Sequence, residues 1–399
     1  MPDQPPLAGI RVVELGQLVA GPFAGTLLGY FGAEVIKVEP PGAGDPLRGW
    51  RTLDSSGTSY WWRSLGRNKR SVTANLRSEA GRTIVRQLLE TADVVIENFK
   101  PGTMEKWGLG PEVFERSNPQ LIYARISGYG QSGPYSEKPG YASVTEAFSG
   151  FRYVNGFPGE APVRPNLSIG DSVAGLHAVL GVLLALLGRS RLPDAAGQVV
   201  DVALYESMFN LMEAVVPEYF GAGEVRAASG TTITGIVPTN TYRCADEKYV
   251  VIGGNGDSIF VRLMQAIGRP DIAEDPSCAD NPGRVTQQAR IDAAIAEWTG
   301  ARAAHQVMTA LDAVQVPVGL IYSVEDMARD PQYQARGMFE VLDAGGNDVT
   351  IPGMAPKLSR TPGATRWPGG EVGADRDVVL RELGYDDAAI ASLAANGDI

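Results

Sequence analysis

Short apolar runs that alternate with helix-like segments restrict what this chain can fold into more than any other feature. Gly9-Ile10-Arg11-Val12-Val13-Glu14-Leu15, Glu34-Val35-Ile36-Lys37-Val38-Glu39, Asp93-Val94-Val95-Ile96-Glu97, Leu121-Ile122-Tyr123-Ala124-Arg125-Ile126 and Gln198-Val199-Val200-Asp201-Val202-Ala203-Leu204 read as strands. Between them lie helical segments at Ala20–Leu28 and Ser78–Thr91 and a long apolar one at Val173–Leu187, with another at Tyr205–Tyr219 after the last strand. Strands that are apolar on both faces and separated by helices predict an α/β, Rossmann-like parallel sheet covered on both sides. Ligands of such sheets bind beyond the carboxyl ends of the strands. Here those ends are Gly16–Gly21, Pro40–Trp50, Asn98–Gly102 and Ser127–Gly133, and three of the four are rich in glycine. Neither the G-x-G-x-x-G nor the G-x-x-x-x-G-K-[ST] phosphate signature occurs in them, which argues against a nicotinamide dehydrogenase or a triphosphatase.

The chain has 399 residues, enough for more than one core. The expected large domain is 1–222, completed by a returning C-terminal segment, 330–399. Small and polar residues from Gly221 to Gly235 read as a linker or mobile loop. A smaller α+β domain, 223–329, follows, with strands at Tyr249–Ile252 and Val318–Tyr322. Two cysteines, Cys244 and Cys278, give neither a disulfide framework nor a metal site, so no metal and no permanently bound cofactor are expected. The first residues lack an export pattern, and cytoplasm is the expectation. Val173–Leu187 is shorter than the roughly 20 residues that span a bilayer, and no membrane partner is expected.

A net charge of −11 opposes nucleic-acid binding. Locally the balance inverts: Arg63, Arg67, Lys69, Arg70, Arg77, Arg82 and Arg86 face only Glu79. Such a patch suits a small polyanion, and Asn68-Lys69-Arg70-Ser71 reads as a loop within it.

Asp171, in Ser168-Ile169-Gly170-Asp171-Ser172, opens the long apolar helix. A helix N-terminus favours a carboxylate through its dipole and unpaired N–H groups, and Asp, with a reference pKa of about 3.9, is already deprotonated at neutral pH. It can attack without a partner base, which matters in a chain with only two histidines, His177 and His305. On local grounds alone, Asp171 reads equally as a helix cap.

Several segments together resemble the class III CoA-transferases. These are Leu7-Ala8-Gly9-Ile10-Arg11-Val12, Val19-Ala20-Gly21-Pro22, Gly32-Ala33-Glu34-Val35-Ile36-Lys37-Val38-Glu39, Gly44-Asp45-Pro46, Asn68-Lys69-Arg70-Ser71, Glu97-Asn98-Phe99-Lys100-Pro101-Gly102, Ser127-Gly128-Tyr129-Gly130 and Gly170-Asp171, spread over nearly the whole chain. The resemblance implies that Asp171 attacks an acyl-CoA thioester, forming an aspartyl anhydride and then an aspartyl-CoA thioester. It implies CoA contacts at Val19, Ala20, Ala74, Asn75, Arg77, Asn98, Phe99, Lys100 and Lys106. An acceptor pocket would involve Trp50, Arg48, Tyr141 and Gly235, with Gly230–Gly235 as a lid. It also implies an interlocked homodimer, with coenzyme A thioesters and small carboxylic acids as substrates.

The acceptor is expected to be a carboxylate or dicarboxylate and the donor succinyl-CoA. The family's glycine run is replaced here by Thr231-Thr232-Ile233-Thr234-Gly235, closer to the dicarboxylate branch, and the acidic residue that often follows the tyrosine is replaced by Ala142. A second carboxylate on the acceptor would call for a bidentate cation, for which Arg48, Arg51 and Arg164 are candidates. Two alternatives remain. An α-methylacyl-CoA racemase of the same fold would need a His where Tyr141 stands, and His177, six residues past Asp171, is turned about 240° away on the helix. A non-catalytic CoA-binding module would have no use for Asp171.

Overall fold

The computed structural model describes residues 4–191 and 193–399, which divide into two compact units: 4–151, 165–191, 193–213 and 332–399 in the first, and 152–164 with 214–331 in the second. The second therefore takes in 152–164 and begins at 214, a segment and a boundary that sequence placed in the large domain.

In the first unit, six strands, β1 (Arg11–Glu14), β2 (Glu34–Glu39), β3 (Lys69–Thr73), β4 (Val94–Glu97), β5 (Ile122–Ser127) and β6 (Val199–Ala203), form one sheet in the order β3-β2-β1-β4-β5-β6. Every pairing is parallel. The strand order reverses between β1 and β4, which is where a doubly wound sheet opens its ligand crevice. On one face, α1 (Ala20–Tyr30) and the long helix described below pack with Val12, Val35, Val94, Ile96, Ile122 and Ala124. On the other, α3 (Glu79–Glu90) presents Ile84, Val85, Leu88 and Leu89 to Val13, Ile36, Val72 and Val95. The C-terminal helices Arg376–Glu382 and Asp387–Ala395 add Val379, Leu380 and Ile390 to this second core, so the tail completes the first unit. Between α1 and α3 lies α2 (Tyr60–Leu65). Further along come α4 (Thr103–Lys106), α5 (Ala142–Phe148) and α6 (Ile169–Arg189).

Three expectations are corrected. Lys69–Ser71 is not a loop but the start of β3, because Lys69, Ser71 and Thr73 are buried, with counter-charges for the lysine. The segment Tyr205–Tyr219 is not one helix. It breaks into α7 (Leu204–Phe209) and α8 (Val215–Ala222), with Glu213 between them at φ 46°, outside the helical range. The apolar run 173–187 belongs to a 21-residue helix, α6, long and apolar enough by length and composition to cross a membrane. In the fold, α6 packs through Ala174, Ala178, Val182 and Ala185 against the sheet and α1. A hairpin of β10 (Phe339–Asp343) and β11 (Asp348–Pro352) also belongs to this unit.

The second unit is built on β7 (Thr239–Arg243), β8 (Tyr249–Gly253) and β9 (Val318–Leu320), an antiparallel sheet backed by helices Asp257–Ala266, Gln288–Gly300 and Ala304–Asp312. Arg284, fully buried, donates to the carbonyls of Val237 and Asn255 and to Asp257.

Beneath the carboxyl ends of β1–β3 lies a knot of buried charge. Lys37 Nζ meets Glu14 Oε1 at 3.1 Å and Asp45 Oδ2 at 2.9 Å and donates to the Gly16 carbonyl. Lys69 Nζ meets Glu14 Oε2 at 2.8 Å and the Pro22 carbonyl at 2.7 Å. Arg48 grips Glu39 with two 2.7 Å hydrogen bonds and lies 3.8 Å from the Trp62 ring. Three carboxylates and three cations are thus withdrawn from water together. Burial depresses Lys69 to about 8, against the pull of Glu14. Burial also opposes charge on Lys37, but Asp45 and Glu14 overcome it and raise that group above its ordinary range.

Two outcomes follow from this knot. A Cβ on Gly25 of α1 would overlap the Glu14 carboxylate. Gly25→Ala should therefore cost at least about 3 kcal/mol in denaturant unfolding, the scale of breaking a buried ion pair, whereas Gly188→Ala, with open space around its Cβ, should be neutral or stabilising. Lys69 binds its proton less tightly in the folded protein than at its ordinary 10.5. The folded state therefore carries fewer protons than the unfolded chain between about pH 8 and 10.5, and this group makes stability rise with pH across that window. The contribution of Lys37 has the opposite sign and is lost only above its ordinary value. Subtracting the unfolding free energies of Lys69→Met from those of the wild type at each pH should isolate the rise.

Candidate active site

The crevice between β1 and β4 is closed by side chains at the strand ends. Asn98, just past β4, accepts the Gln17 N–H through Oδ1 at 2.7 Å and donates from Nδ2 to the Gln17 carbonyl at 2.8 Å. Leu18, at φ 65°, gives its N–H to both oxygens of Asp45 at 3.1 and 3.2 Å. The loop 16–19 is thus held from two sides, and a non-glycine residue stays in a left-handed conformation because its neighbours over-determine it. Gly16 and Gly21 permit the close approach: a Cβ on either would lie 3.0 Å from the other's Cα.

The helix α6 leads into the parallel strand β6, so its N-terminus lies at the carboxyl edge of the sheet. Asp171 sits in its first turn and is half-buried. Within that turn, the Gly170 N–H donates to Glu146 Oε1 at 3.2 Å, and Glu146, on α5, is fully buried. One turn further along α6, Gly175 packs against the start of α1. A Cβ there would be 2.9 Å from the Ala20 carbonyl oxygen and 3.0 Å from the Phe23 ring, so glycine is what lets α6 reach the 16–20 loop. Asp171 and the switch-point crevice are joined by this contact.

The other candidates separate into three groups. Val19, Ala20 and Ala74 are buried in the cores. Asn75 and Phe99 serve the local fold. The Asn75 N–H bonds the Asp398 carbonyl at 2.7 Å, and Phe99 packs edge-to-face on Trp107 with ring centres 5.1 Å apart. Asn98 is the clamp on Gln17 already described. Arg77, Lys100 and Lys106, by contrast, are exposed on the segments after β3 and β4 and take part in no ion pair among the described residues.

In the proposed acceptor pocket, Arg48 is spent. It is 7% exposed and its guanidinium is shared among Glu39, the Gly370 carbonyl and Trp62. It is a scaffold group and is not open to a ligand. Trp50 is 44% exposed and Tyr141, which precedes α5, 72% exposed. Gly235 lies exposed in the second unit at φ 79° and accepts from Asn281. The basic patch read from sequence is largely consumed: Arg63 pairs with Asp54 at 2.8 Å, Arg67 donates to carbonyls and Ser64, and Arg70 pairs with Glu34 and Glu382. His177 is half-buried with Nδ1 2.9 Å from the Val173 carbonyl, and His305 is exposed.

Gln17, Asp45 and Glu146 were not singled out from sequence. Asp45 lay within a quoted motif. The signal for Glu146 was present: it is four residues after Ala142, where an acidic residue is missing, and residues four apart share one helical face. Among the described residues, no cluster of His, Cys, Asp and Glu is placed to hold a metal ion.

A family model for CoA-transferase family III matches residues 7–376. The chain is 44% identical to succinyl-CoA–D-citramalate CoA-transferase of Chloroflexus aurantiacus over 98% of its length and 97% of that protein's. It is 36% identical to succinate–glutarate CoA-transferase of Agrobacterium fabrum over 96% and 97%. The crystal structure of a CaiB/BaiF family protein from Brucella suis superposes with a TM-score of 0.84 at 34% identity, covering 96% of this chain and 100% of that one. With this match, a parallel sheet crossed over at β1/β4 and an aspartate in the first turn of α6, the chain belongs to CoA-transferase family III.

Proposed function

We propose that this protein moves coenzyme A from succinyl-CoA to a small dicarboxylate, with Asp171 as the covalent nucleophile. The observation that carries the reading is the position of Asp171: a half-buried carboxylate in the first turn of α6, at the carboxyl edge of the sheet. Two relatives named for succinyl-CoA or succinate and a dicarboxylate, over nearly the full chain, support the substrate class.

An Asp171 oxygen attacks the thioester carbonyl, the C–S bond breaks, and an acyl-aspartyl anhydride and CoA thiolate result. The thiolate attacks the aspartyl carbonyl of the anhydride, expelling the donor's carboxylate and leaving an aspartyl-CoA thioester. The acceptor carboxylate repeats both steps in reverse order, forming its own anhydride and then its CoA ester, and Asp171 is regenerated. No proton is gained or lost, which is why a site without a histidine base suffices. Each tetrahedral intermediate places negative charge near a helix N-terminus, where the helix dipole stabilises it. Arg77, Lys100 and Lys106, exposed beyond the ends of β3 and β4, suit the phosphates of CoA, while Glu146 fixes the backbone of the turn that carries Asp171.

The reading includes a homodimer. Leu176, Leu180, Leu183, Leu184 and Leu187 are each at least 40% exposed along one face of α6, while the opposite face is buried in the sheet. A continuous apolar stripe of this kind marks a protein interface, and a second copy is the proposed cover. A cytoplasmic location fits two buried cysteines left as free thiols.

Asp171→Asn and Asp171→Ala should lose at least about 1,000-fold in CoA transfer from succinyl-CoA to dicarboxylates, the scale seen when a covalent nucleophile is removed. Folding should be affected by no more than about 1 kcal/mol. Mass spectrometry of the wild type quenched in turnover should find an adduct on Asp171, and a fully active Asn variant would refute the role. Leu184→Glu should shift the protein from dimer to monomer in sedimentation, whereas Leu53→Glu, on an exposed loop elsewhere, should not.

A further inference from the structure

The acceptor and donor in the reading above each carry a carboxylate far from the reacting one, and something must recognise it. From the geometry of the loop after β2 we infer that Arg51 docks that distal carboxylate and so selects dicarboxylates over monocarboxylates. This inference rests on the proposed CoA transfer and adds the residue that decides which acids take part.

Three observations single out Arg51. First, its charge is unspent. Arg48 and Arg63 in the same segment are buried and engaged by Glu39 and Asp54, whereas Arg51 is exposed and, among the described residues, has no hydrogen-bond or ion-pair partner. Second, it is held in place. The guanidinium carbon lies 4.2 Å from the centre of the Trp61 ring, so one flat face is covered while the N–H edge stays free. Stacking and an open edge are the two conditions under which arginine binds a carboxylate with both arms. Third, the backbone is in a costly conformation: Arg51 has φ 60°, and the turn is fastened behind it by Ser59 N–H to the Arg48 carbonyl at 2.8 Å and Tyr60 N–H to the Thr52 carbonyl at 3.2 Å. A non-glycine residue kept in the left-handed region by such closure points its side chain where an ordinary turn would not.

The position suits the role. Trp61 packs on the cluster of Val19, Leu47 and Trp62, together with Leu18 and Phe23. Phe23 and Ala20 line Gly175, one turn along α6 from Asp171. Packed contacts thus run from Arg51 through Trp61 and Phe23 to Gly175, four residues along the helix from Asp171. The partly exposed ring of Trp50, next in sequence, offers an apolar wall for the methylene chain between the two carboxylates. Because donor and acceptor occupy the acyl site in turn, Arg51 should act on both.

With glutaryl-CoA as the donor, so that transfer to succinate yields a new CoA ester, the test compares CoA transfer to succinate with transfer to butyrate, a monocarboxylate of equal chain length, in wild type, Arg51→Gln and Arg51→Lys. The succinate-to-butyrate ratio of kcat/KM should fall roughly 10- to 100-fold in Arg51→Gln, the scale of one charge-assisted hydrogen-bonded pair, and fall less in Arg51→Lys. The preference for succinyl-CoA over butyryl-CoA as donor should decline in parallel. Thermal unfolding identifies a misfolded variant, and if Arg51→Gln is one, the Arg51→Lys ratio decides. An unchanged ratio, whether both acids keep their rates or both lose them equally, overturns the inference. A wild type that forms no CoA ester with any acid overturns the underlying function instead.

Discussion

Charges that leave water inside this sheet must be matched within it, and the matching fixes the geometry of everything above. Glu14 from β1, Lys37 and Glu39 from β2 and Lys69 from β3 come from three adjacent parallel strands in register. Desolvating each group costs several kcal/mol, and only mutual pairing with further hydrogen bonds offsets that cost. Slipping any strand by one residue would turn these side chains to the opposite face and strand a bare charge. The knot also reaches upward. Lys37 donates to the Gly16 carbonyl, and Asp45 receives the Leu18 N–H while bonding Lys37. The loop against which α6 packs is therefore positioned by the same charges that set the strand register.

This economy explains which cations remain for ligands. Arg48, Arg63, Arg67, Lys69 and Arg70 are drawn into the scaffold because carboxylates or carbonyls face them. Arg51, Arg77, Lys100 and Lys106 lie beyond the strand ends and take part in no ion pair among the described residues. An acidic protein of net charge −11 thus keeps a few positive groups at one edge of its sheet. Field lines from so few charges act over about a Debye length, enough to favour a polyphosphate chain at that edge and weak for extended nucleic acid.

Much of the fold was legible because buried parallel strands are written as continuous apolar runs, and five of the six could be read that way. The sixth, β3, was hidden: Lys69-Arg70-Ser71-Val72-Thr73 is polar, and only the knowledge that Glu14 and Glu39 wait beside it makes it a buried strand. The same blindness affected the site. The place of Asp171 in the first turn of an apolar helix was legible, because a carboxylate in a first turn is a local feature. Arg48 was misjudged because its bidentate partner, nine residues away on β2, is a tertiary fact. Glu146 escaped notice because the contact that gives it meaning, with the Gly170 N–H, spans 24 residues. The split at Glu213, by contrast, was marked: Pro217 stands inside the segment read as one helix, and a proline there favours a break just before it.

A carboxylate nucleophile imposes its own logic on specificity. In the proposed mechanism the carboxylate of Asp171 is a weak base and therefore also a good leaving group, so each acylated intermediate can collapse in either direction. The chemistry treats every carboxylic acid alike: each presents the same two oxygens to the aspartyl-CoA thioester. Discrimination must come from the part of the acid that does not react. A methylene more or less in an apolar slot distinguishes substrates weakly, while a site built for a charged group rejects an analogue lacking it far more strongly, because its own polar atoms are then left unmatched. An enzyme of this mechanism that distinguishes dicarboxylates needs a cation held rigidly at a distance from its nucleophile. In the unit that carries Asp171, the loop after β2 holds such a cation flat against an indole with its edge open.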